Sequence, residues 1–134
     1  MGRIEECRFG TDCTIVANGP LVYEALIAAK KLEKEIDCQV LNCSTVKPLD
    51  GKTLMQAAKK TGCVVTAEEH QWQGGLAGAV AEFLGENYPV PIKRVGVKDR
   101  FGESGTPEEL FKAFGLTSDD IVKAVRAAVK MKKQ

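Results

Sequence analysis

The sequence has few of the side chains on which metal sites and disulfide frameworks depend. His70 is the only histidine in 134 residues, and the five cysteines include no C-x-x-C pair. Structural zinc needs clustered thiolates or imidazoles, so no metal site is expected. The odd cysteine count argues against a disulfide framework. Cys13, Cys38 and Cys63 each open an apolar run and are predicted to be small buried thiols in a reducing compartment.

The sequence also lacks an excess of either charge and lacks long apolar runs. Lys and Arg number 19 against 18 Asp and Glu, a net charge of +1. Nucleic-acid binders usually carry a basic surplus, so no nucleic-acid partner is expected, and the basic stretch 123–133 is interpreted as a solvated helix end. No apolar run reaches the roughly 18 residues of a membrane span, and residues 1–6 are too polar for a signal peptide. We expect a cytoplasmic protein without a membrane partner.

The length and composition predict one α/β domain over residues 1–134. The chain is 44% hydrophobic and 28% charged, which is typical of a globular protein. Short apolar runs at 14–17, 39–42, 63–67 and 92–97 alternate with helical patterns, which favours crossover connections and parallel strands. Arg3 to Cys7 are predicted to add an edge strand that turns at Phe9 and Gly10. The helical patterns begin at residues 21, 54, 76, 107 and 118.

Several helix boundaries are marked by local signals. Pro20 suits the first position of a helix whose apolar stripe runs from Leu21 to Ile36. Thr106 and Glu109 form a capping box for a short helix that Gly115 ends. Thr117 and Asp120 repeat this signature. An apolar stripe then predicts a last helix; it consists of Ile121, Val122, Val125, Ala128 and Val129.

Polar residues follow the predicted strands and form the candidate site. Ligands of parallel sheets usually bind beyond the carboxyl ends of strands. Glu68, Glu69 and His70 could shuttle a proton there, or could form a loop that pairs with a neighbouring subunit. Gly74 and Gly75 open a helix whose N–H groups could hold a small anion, or they could serve close helix packing. The same alternatives apply to Asn18 and Gly19.

Two further residues near this edge are candidates for chemistry or for an interface. Cys43 could approach His70 as a nucleophilic dyad, although the sequence offers no third group to orient the imidazole. Trp72 is either an interface anchor or a side chain that caps the core. No self-contained active site follows from these residues.

Two long segments of the chain resemble the C-terminal domain of transketolases. Residues 64–84 read VVTAEEHQWQGGLAGAVAEFL and residues 94–125 read RVGVKDRFGESGTPEELFKAFGLTSDDIVKAV; segments 14–32 and 41–50 fit the same family in the same order. Deoxyxylulose-phosphate synthase and the beta subunits of 2-oxoacid dehydrogenases share the layout. Residues 101–107, FGESGTP, are more similar to transketolase than to either of these.

The resemblance implies a three-layer α/β/α fold with a mixed sheet of about five strands, mostly parallel with one antiparallel edge strand. It implies a parent enzyme that moves ketol units between sugar phosphates with thiamine diphosphate and Mg²⁺ or Ca²⁺. Those groups are held by its pyrimidine-binding and diphosphate-binding domains, which 134 residues do not include. This chain is thus expected to be an excised third domain that binds no cofactor and contributes no catalytic residue.

The role implied for the domain is structural. It would pack against the pyrimidine-binding domain, extend a dimer contact and form a homo-oligomer. If a regulatory ligand binds here, the predicted site is the rim of Asn18, Gly19, Glu69, His70, Gly74 and Gly75, with Trp72 as an interface anchor. The alternatives are a stand-alone module for a small anion or nucleotide, or the equivalent domain of a dehydrogenase beta subunit or of deoxyxylulose-phosphate synthase.

Overall fold

The computed structural model describes residues 3–68, 75–96 and 118–134. Within these ranges the strands are β1 (Ile4–Arg8), β2 (Cys13–Ala17), β3 (Cys38–Cys43), β4 (Val64–Glu68) and β5 (Ile92–Gly96). The helices are α1 (Leu21–Leu32), α2 (Gly51–Thr61), α3 (Leu76–Asn87) and α4 (Ser118–Lys132). None of these helices is long and apolar enough to cross a bilayer.

The five strands form one mixed sheet in the order β1-β3-β2-β4-β5. The neighbours β3, β2, β4 and β5 are parallel, and β1 lies antiparallel to β3 at the edge. The predicted fold class, including its antiparallel edge strand, is confirmed. The pairing of β3 and β4 with opposite sides of β2 places β2 at the centre of the sheet.

Two apolar cores lie on the two faces of the sheet. On one face α1 and α4 pack over side chains such as Ile15 and Val65; on the other, α2 and α3 pack over Val16 and Val64. Successive strand residues point to opposite faces, so a strand covered on both sides is buried along its whole length and is mostly apolar. All five residues of β2 and of β4 are buried, including the polar Thr14, Thr66 and Glu68.

The turn after β1 carries the chain across the amino end of β3 to reach β2. A Cβ atom on Gly10 would lie 2.2 Å from the carbonyl carbon of Cys38, so only glycine allows the two backbones to approach this closely. The Arg8 guanidinium donates to the Cys38 carbonyl oxygen at 2.6 Å and holds the crossing in place. The edge strand therefore has β3, not β2, as its partner.

The helix boundaries differ from the predicted ones where caps decide them. α2 begins at Gly51 rather than near Leu54, because Asp50 accepts a hydrogen bond from the Thr53 N–H and caps the helix. α1 begins at Leu21, with Pro20 as its cap rather than its first residue, and it ends at Leu32. Ile36 lies beyond that end but is still buried. The capping boxes at 106–109 and at Thr117 lie outside the described residues.

Candidate functional site

The carboxyl ends of three neighbouring strands meet at one edge of the sheet. Ala17 in β2 pairs with Asn42 on one side and with Ala67 on the other. The residues that follow these strands therefore lie next to each other. This carboxyl edge is the place where the sequence predicted a ligand site or an interface.

Glu68 ends β4 and points into the protein rather than toward solvent. The residue is 2% exposed. Its Oε1 accepts a hydrogen bond from the Leu76 N–H at 3.0 Å, and its Oε2 accepts one from the Ala77 N–H at 2.7 Å. Free N–H groups at the start of a helix attract negative charge, so a carboxylate is well matched to this position. Glu68 caps α3, and each of its carboxylate oxygens accepts one of these two hydrogen bonds.

This cap bears on the two chemical hypotheses for the edge. The proton-shuttle hypothesis gave Glu68 a free carboxylate, whereas the structure gives it two backbone partners. An anion at the start of α3 would have to compete with a buried carboxylate for the Leu76 and Ala77 donors. Gly75, the cap residue of α3, has extended backbone and contributes no side-chain bond. Glu69, His70, Trp72 and Gly74 lie outside the described residues, so their predicted roles stay predictions.

Asn18 and Gly19 form the turn that leads from β2 into α1. Gly19 has a φ of 58°, a left-handed conformation that favours glycine. The Asn18 carbonyl oxygen accepts from the Leu21 N–H at 3.2 Å, and the Gly19 carbonyl oxygen accepts from the Val22 N–H at 3.2 Å. The Asn18 side-chain oxygen is buried and has no hydrogen-bond partner among the described residues. The turn positions α1; a ligand role for it remains a prediction.

Cys43 ends β3 and is held as a buried thiol. Its Sγ donates to the Thr45 carbonyl oxygen at 3.4 Å. Burial is the largest effect on the pKa of Cys43 and raises it, which keeps the sulfur protonated. A protonated thiol that already donates to the backbone is poorly prepared for nucleophilic attack. The structure therefore gives the Cys43–His70 dyad no support at its cysteine, while its histidine lies outside the described residues.

Asp50 is a positioning residue that sequence reasoning missed. One carboxylate oxygen, Oδ2, accepts from the Ile4 N–H at 3.0 Å and from the Thr53 hydroxyl at 2.8 Å. These hydrogen bonds, that from Ile4 first, lower the pKa of Asp50 below its ordinary value. The side chain joins the edge strand β1 to the start of α2. The available signal is an aspartate a few residues before the helical pattern that begins at residue 54, since aspartate is a favoured helix cap.

An open groove lies beside this edge on the α2–α3 face. We call it the α3 groove; it has a volume of about 550 Å³. It is lined by Val46, Lys47, Leu49, Gly78, Ala79, Glu82, Phe83 and Glu86. Its floor is apolar and its rim carries charges of both signs, which is the ordinary anatomy of a protein-protein contact.

The described part of the carboxyl edge is built to position backbone. Glu68, Asp50 and Cys43 each bond to main-chain atoms. No group of three His, Cys, Asp or Glu side chains in residues 3–68, 75–96 and 118–134 is placed to hold a metal ion. The arrangement of these described residues suits a packing domain.

Comparison with known proteins assigns the family. Residues 2–121 match the family described as "Transketolase, C-terminal domain". The chain is 48% identical over 133 residues to the 6-deoxy-6-sulfo-D-fructose transketolase subunit of Clostridium sp. (strain MSTE9), covering 98% of this chain and 41% of that protein. It is 43% identical over 121 residues to 1-deoxy-D-xylulose-5-phosphate synthase 1 of Geobacter sulfurreducens, covering 88% of this chain and 19% of that protein.

A solved structure agrees with these relatives. A split gene transketolase, described as an inactive beta4 tetramer, superposes with a TM-score of 0.93 at 49% identity. The match covers 98% of this chain and 43% of that one, so the chain spans less than half the length of each of these proteins. The match extends along nearly the whole chain in sequence and in fold. This chain therefore belongs to the transketolase C-terminal domain family.

Proposed function

We propose that this chain is the packing and oligomerisation domain of a transketolase that transfers ketol units between sugar phosphates. Thiamine diphosphate and its metal ion would be held by the pyrimidine-binding and diphosphate-binding domains of the same enzyme. The relative from Clostridium is a transketolase subunit, which supports this choice. The chain would contribute shape and contacts to the assembly.

The observation that carries the proposal is that the Glu68 carboxylate caps a helix. A carboxylate at the end of a central strand is where an α/β enzyme often keeps a reacting group. Here both oxygens of that carboxylate are bonded to the first N–H groups of α3. An edge whose best-placed acid serves as a helix cap fits a packing role.

The α3 groove is the surface that best suits an oligomer contact. Nothing lies within 4 Å of the position that a Cβ atom on Gly78 would take, so this part of α3 is flat and open. Glycine inside a helix costs about 0.5–1 kcal/mol relative to alanine. A glycine among the residues that line the groove leaves room for close approach by another chain.

Calorimetry tests the first half of the proposal. The purified chain titrated with thiamine diphosphate and Mg²⁺ is expected to show no saturable heat, and the chain alone is expected to give no ketol transfer. A complete transketolase measured under the same conditions serves as the positive control. Saturable binding, or turnover by this chain alone, would contradict the proposal.

The match to a deoxyxylulose-phosphate synthase supports a second candidate, the equivalent domain of such a synthase. The two candidates differ in the product of the intact enzyme. We expect an intact enzyme that contains this chain to transfer ketol groups between sugar phosphates. Formation of 1-deoxy-D-xylulose 5-phosphate instead would favour the second candidate.

A further inference from the structure

Three thiols lie in a row at the amino edge of the sheet, opposite the carboxyl edge described above. Cys13 in β2 pairs with Cys38 in β3. On its other side the Thr14 N–H donates to the Cys63 carbonyl oxygen at 3.1 Å, which places Cys63 level with Cys13. All three side chains belong to the core under α1 and α4. None is used by the packing role proposed above.

Cys63 differs from the other two because an ammonium group lies beside it. The Cys63 Sγ donates to the Asp12 carbonyl oxygen at 3.5 Å, and Lys132 Nζ donates to that same oxygen at 2.5 Å. Lys132 Nζ also donates to the Thr61 carbonyl oxygen at 2.6 Å. The thiol and the cation therefore share one acceptor and lie close together.

The surroundings of the three thiols shift their pKa values in different directions. A hydrogen bond with Cys13 and, after the opposing effect of burial, the charge of Lys132 lower the pKa of Cys63. The same hydrogen bond and burial raise the pKa of Cys13. Burial raises the pKa of Cys38 to about 12. Since the thiolate is the nucleophile, the ammonium group of Lys132 beside Cys63 favours Cys63 as the attacking sulfur.

Lys132 also lies over the turn that leads into Cys63. It is the last residue of α4, and its Cδ lies 3.4 Å from where a Cβ atom on Gly62 would be. Cys63 and Cys13 are both fully buried, so a small oxidant needs a local opening to reach them. The ends of helices open far more readily than the middle of a sheet, and opening of this last turn would leave the strand pairing intact.

We propose that Cys63 is a modification site for small neutral peroxides, with Cys13 as the thiol that resolves the product and Lys132 as the positioning residue. Neighbouring strands are about 4.8 Å apart, within the 4.4–6.8 Å between Cα atoms that a disulfide needs. Cys13 and Cys63 therefore lie within reach of each other.

The reaction has two steps. The Cys63 thiolate attacks hydrogen peroxide, so that an S–O bond forms, the O–O bond breaks, and the departing hydroxide takes up a proton as water. The Cys13 sulfur then attacks the Cys63 sulfenic acid; an S–S bond forms, the S–O bond breaks, and a second water leaves with the proton of Cys13. Two thiols are oxidised by two electrons and one peroxide is reduced to two waters.

Peptide mapping tests this directly. The 134-residue chain is treated with graded hydrogen peroxide, its free thiols are blocked with N-ethylmaleimide, and it is digested with trypsin. Cys13 lies in peptide 9–30 and Cys63 in peptide 61–93, separate from peptide 4–8 with Cys7 and peptide 35–52 with Cys38 and Cys43. We expect a disulfide-linked species of peptides 9–30 and 61–93.

Variants separate the roles of the three thiols. Cys13→Ser should lose the link and instead leave a dimedone-reactive sulfenic acid on Cys63. Cys63→Ser should lose both products. Cys38→Ser is the matched control, since Cys38 lies in the same row, and it should leave the link unchanged. Cys7 is exposed and reports the total oxidation within each sample.

Substitutions that remove or retain the positive charge at position 132 test the role of Lys132. Lys132→Met should slow formation of the link, Lys132→Arg should restore it, and Lys133→Met on the neighbouring residue should leave it unchanged. The proposal is overturned if Cys63 stays reduced in wild-type chain after Cys7 is oxidised, or if Cys13 links to Cys38 instead. Equal rates for Lys132→Met and wild type would remove Lys132 from the mechanism. The wild-type measurement holds even where a serine variant fails to fold.

Discussion

Single side chains at the ends of strands decide how this domain is closed. Glu68 joins β4 to α3 through two hydrogen bonds, and Gly10 permits the chain to cross β3 by having no side chain at all. The role of each residue depends on a contact with another element, α3 for Glu68 and β3 for Gly10, rather than on local sequence pattern. Both can be tested one residue at a time.

Removal of the Glu68 carboxylate should destabilise the fold. Glu68→Ala leaves the buried Leu76 and Ala77 N–H groups without their acceptor, and we expect a loss of about 2 kcal/mol in the free energy of unfolding. Glu68→Gln keeps one acceptor oxygen and should lose less. Urea denaturation measures both. Glu82→Ala on the exposed face of α3 is the control and should change stability by less than about 0.5 kcal/mol.

Two glycines should respond in opposite directions to the same substitution. Gly10→Ala places a Cβ atom 2.2 Å from the Cys38 carbonyl carbon, and we expect a loss of about 3 kcal/mol from overpacking. Gly78→Ala meets nothing within 4 Å and should stabilise α3 by about 0.5–1 kcal/mol. Thermal unfolding of the two variants decides this; a neutral Gly10→Ala would show that the chain crosses β3 less closely.

At the scale of elements, caps connect pieces that the sheet alone does not hold. Asp50 ties the edge strand β1 to the start of α2. Glu24 in α1 accepts from the Ser118 N–H at 2.9 Å and so caps the start of α4. Lys31 donates to the Ser118 hydroxyl at 2.9 Å at the same junction. The starts of α3 and α4 are therefore capped by side chains from other elements, Glu68 of β4 and Glu24 of α1.

The Asp50 cap should make stability depend on pH in the acid range. The hydrogen bonds that lower its pKa stabilise the folded state fully above the unfolded pKa of about 4. That contribution is lost as the pH falls through the lower folded pKa. Asp50→Ala should therefore cost about 1 kcal/mol at pH 7 and less at pH 2. Asp50→Asn retains a capping oxygen without a titrating charge, so its difference from Asp50→Ala should stay constant with pH.

At the scale of the whole molecule, the sheet buries both faces and leaves the α3 groove open. The cores under α1 and α4 and under α2 and α3 consist of buried side chains. The α3 groove, by contrast, is open to solvent, and its lining includes the exposed residues Gly78 and Glu82. A surface of this kind is typical of a domain that docks on a neighbour.

The isolated chain is expected to self-associate through the groove. Gly78→Arg places a long cation in open space on the groove floor and should block association without disturbing the core. Gly85→Arg is the matched control, because it also meets open space on α3 but does not line the groove. Trp72→Ala should weaken association if Trp72 is the anchor. Sedimentation velocity measures all three, and a monomer at every concentration would contradict the prediction.

Much of the fold follows from pattern. Apolar runs of four to six residues, separated by amphipathic helices, predict parallel strands and two covered faces, and both predictions are confirmed. The resemblance carried by residues 64–84 and 94–125 predicts the family, and the family match over residues 2–121 confirms it. The edge strand was placed within one residue of its observed bounds, Ile4–Arg8.

The site could be predicted less well, because spacing along the chain does not say which distant group a side chain meets. Glu68 was grouped with its sequence neighbours, whereas its partners are the N–H groups eight and nine residues later. The helical pattern from residue 54 gives Asp50 no role, whereas Ile4, 46 residues earlier, donates to it. The periodicity of apolar residues indicates which face of a helix or strand a residue occupies. It does not indicate which residue of the next element that side chain contacts.

The amino-acid order by itself determined the element types, their alternation and the family, since these depend on local periodicity and on motifs that can be read within a window. Tertiary structure alone decided the strand order and the use of the Glu68 carboxylate as the cap of α3. It also decided the alignment of Cys38, Cys13 and Cys63 in one row. Those features depend on strand register. Register is settled by the simultaneous burial of both sheet faces and not by any single segment.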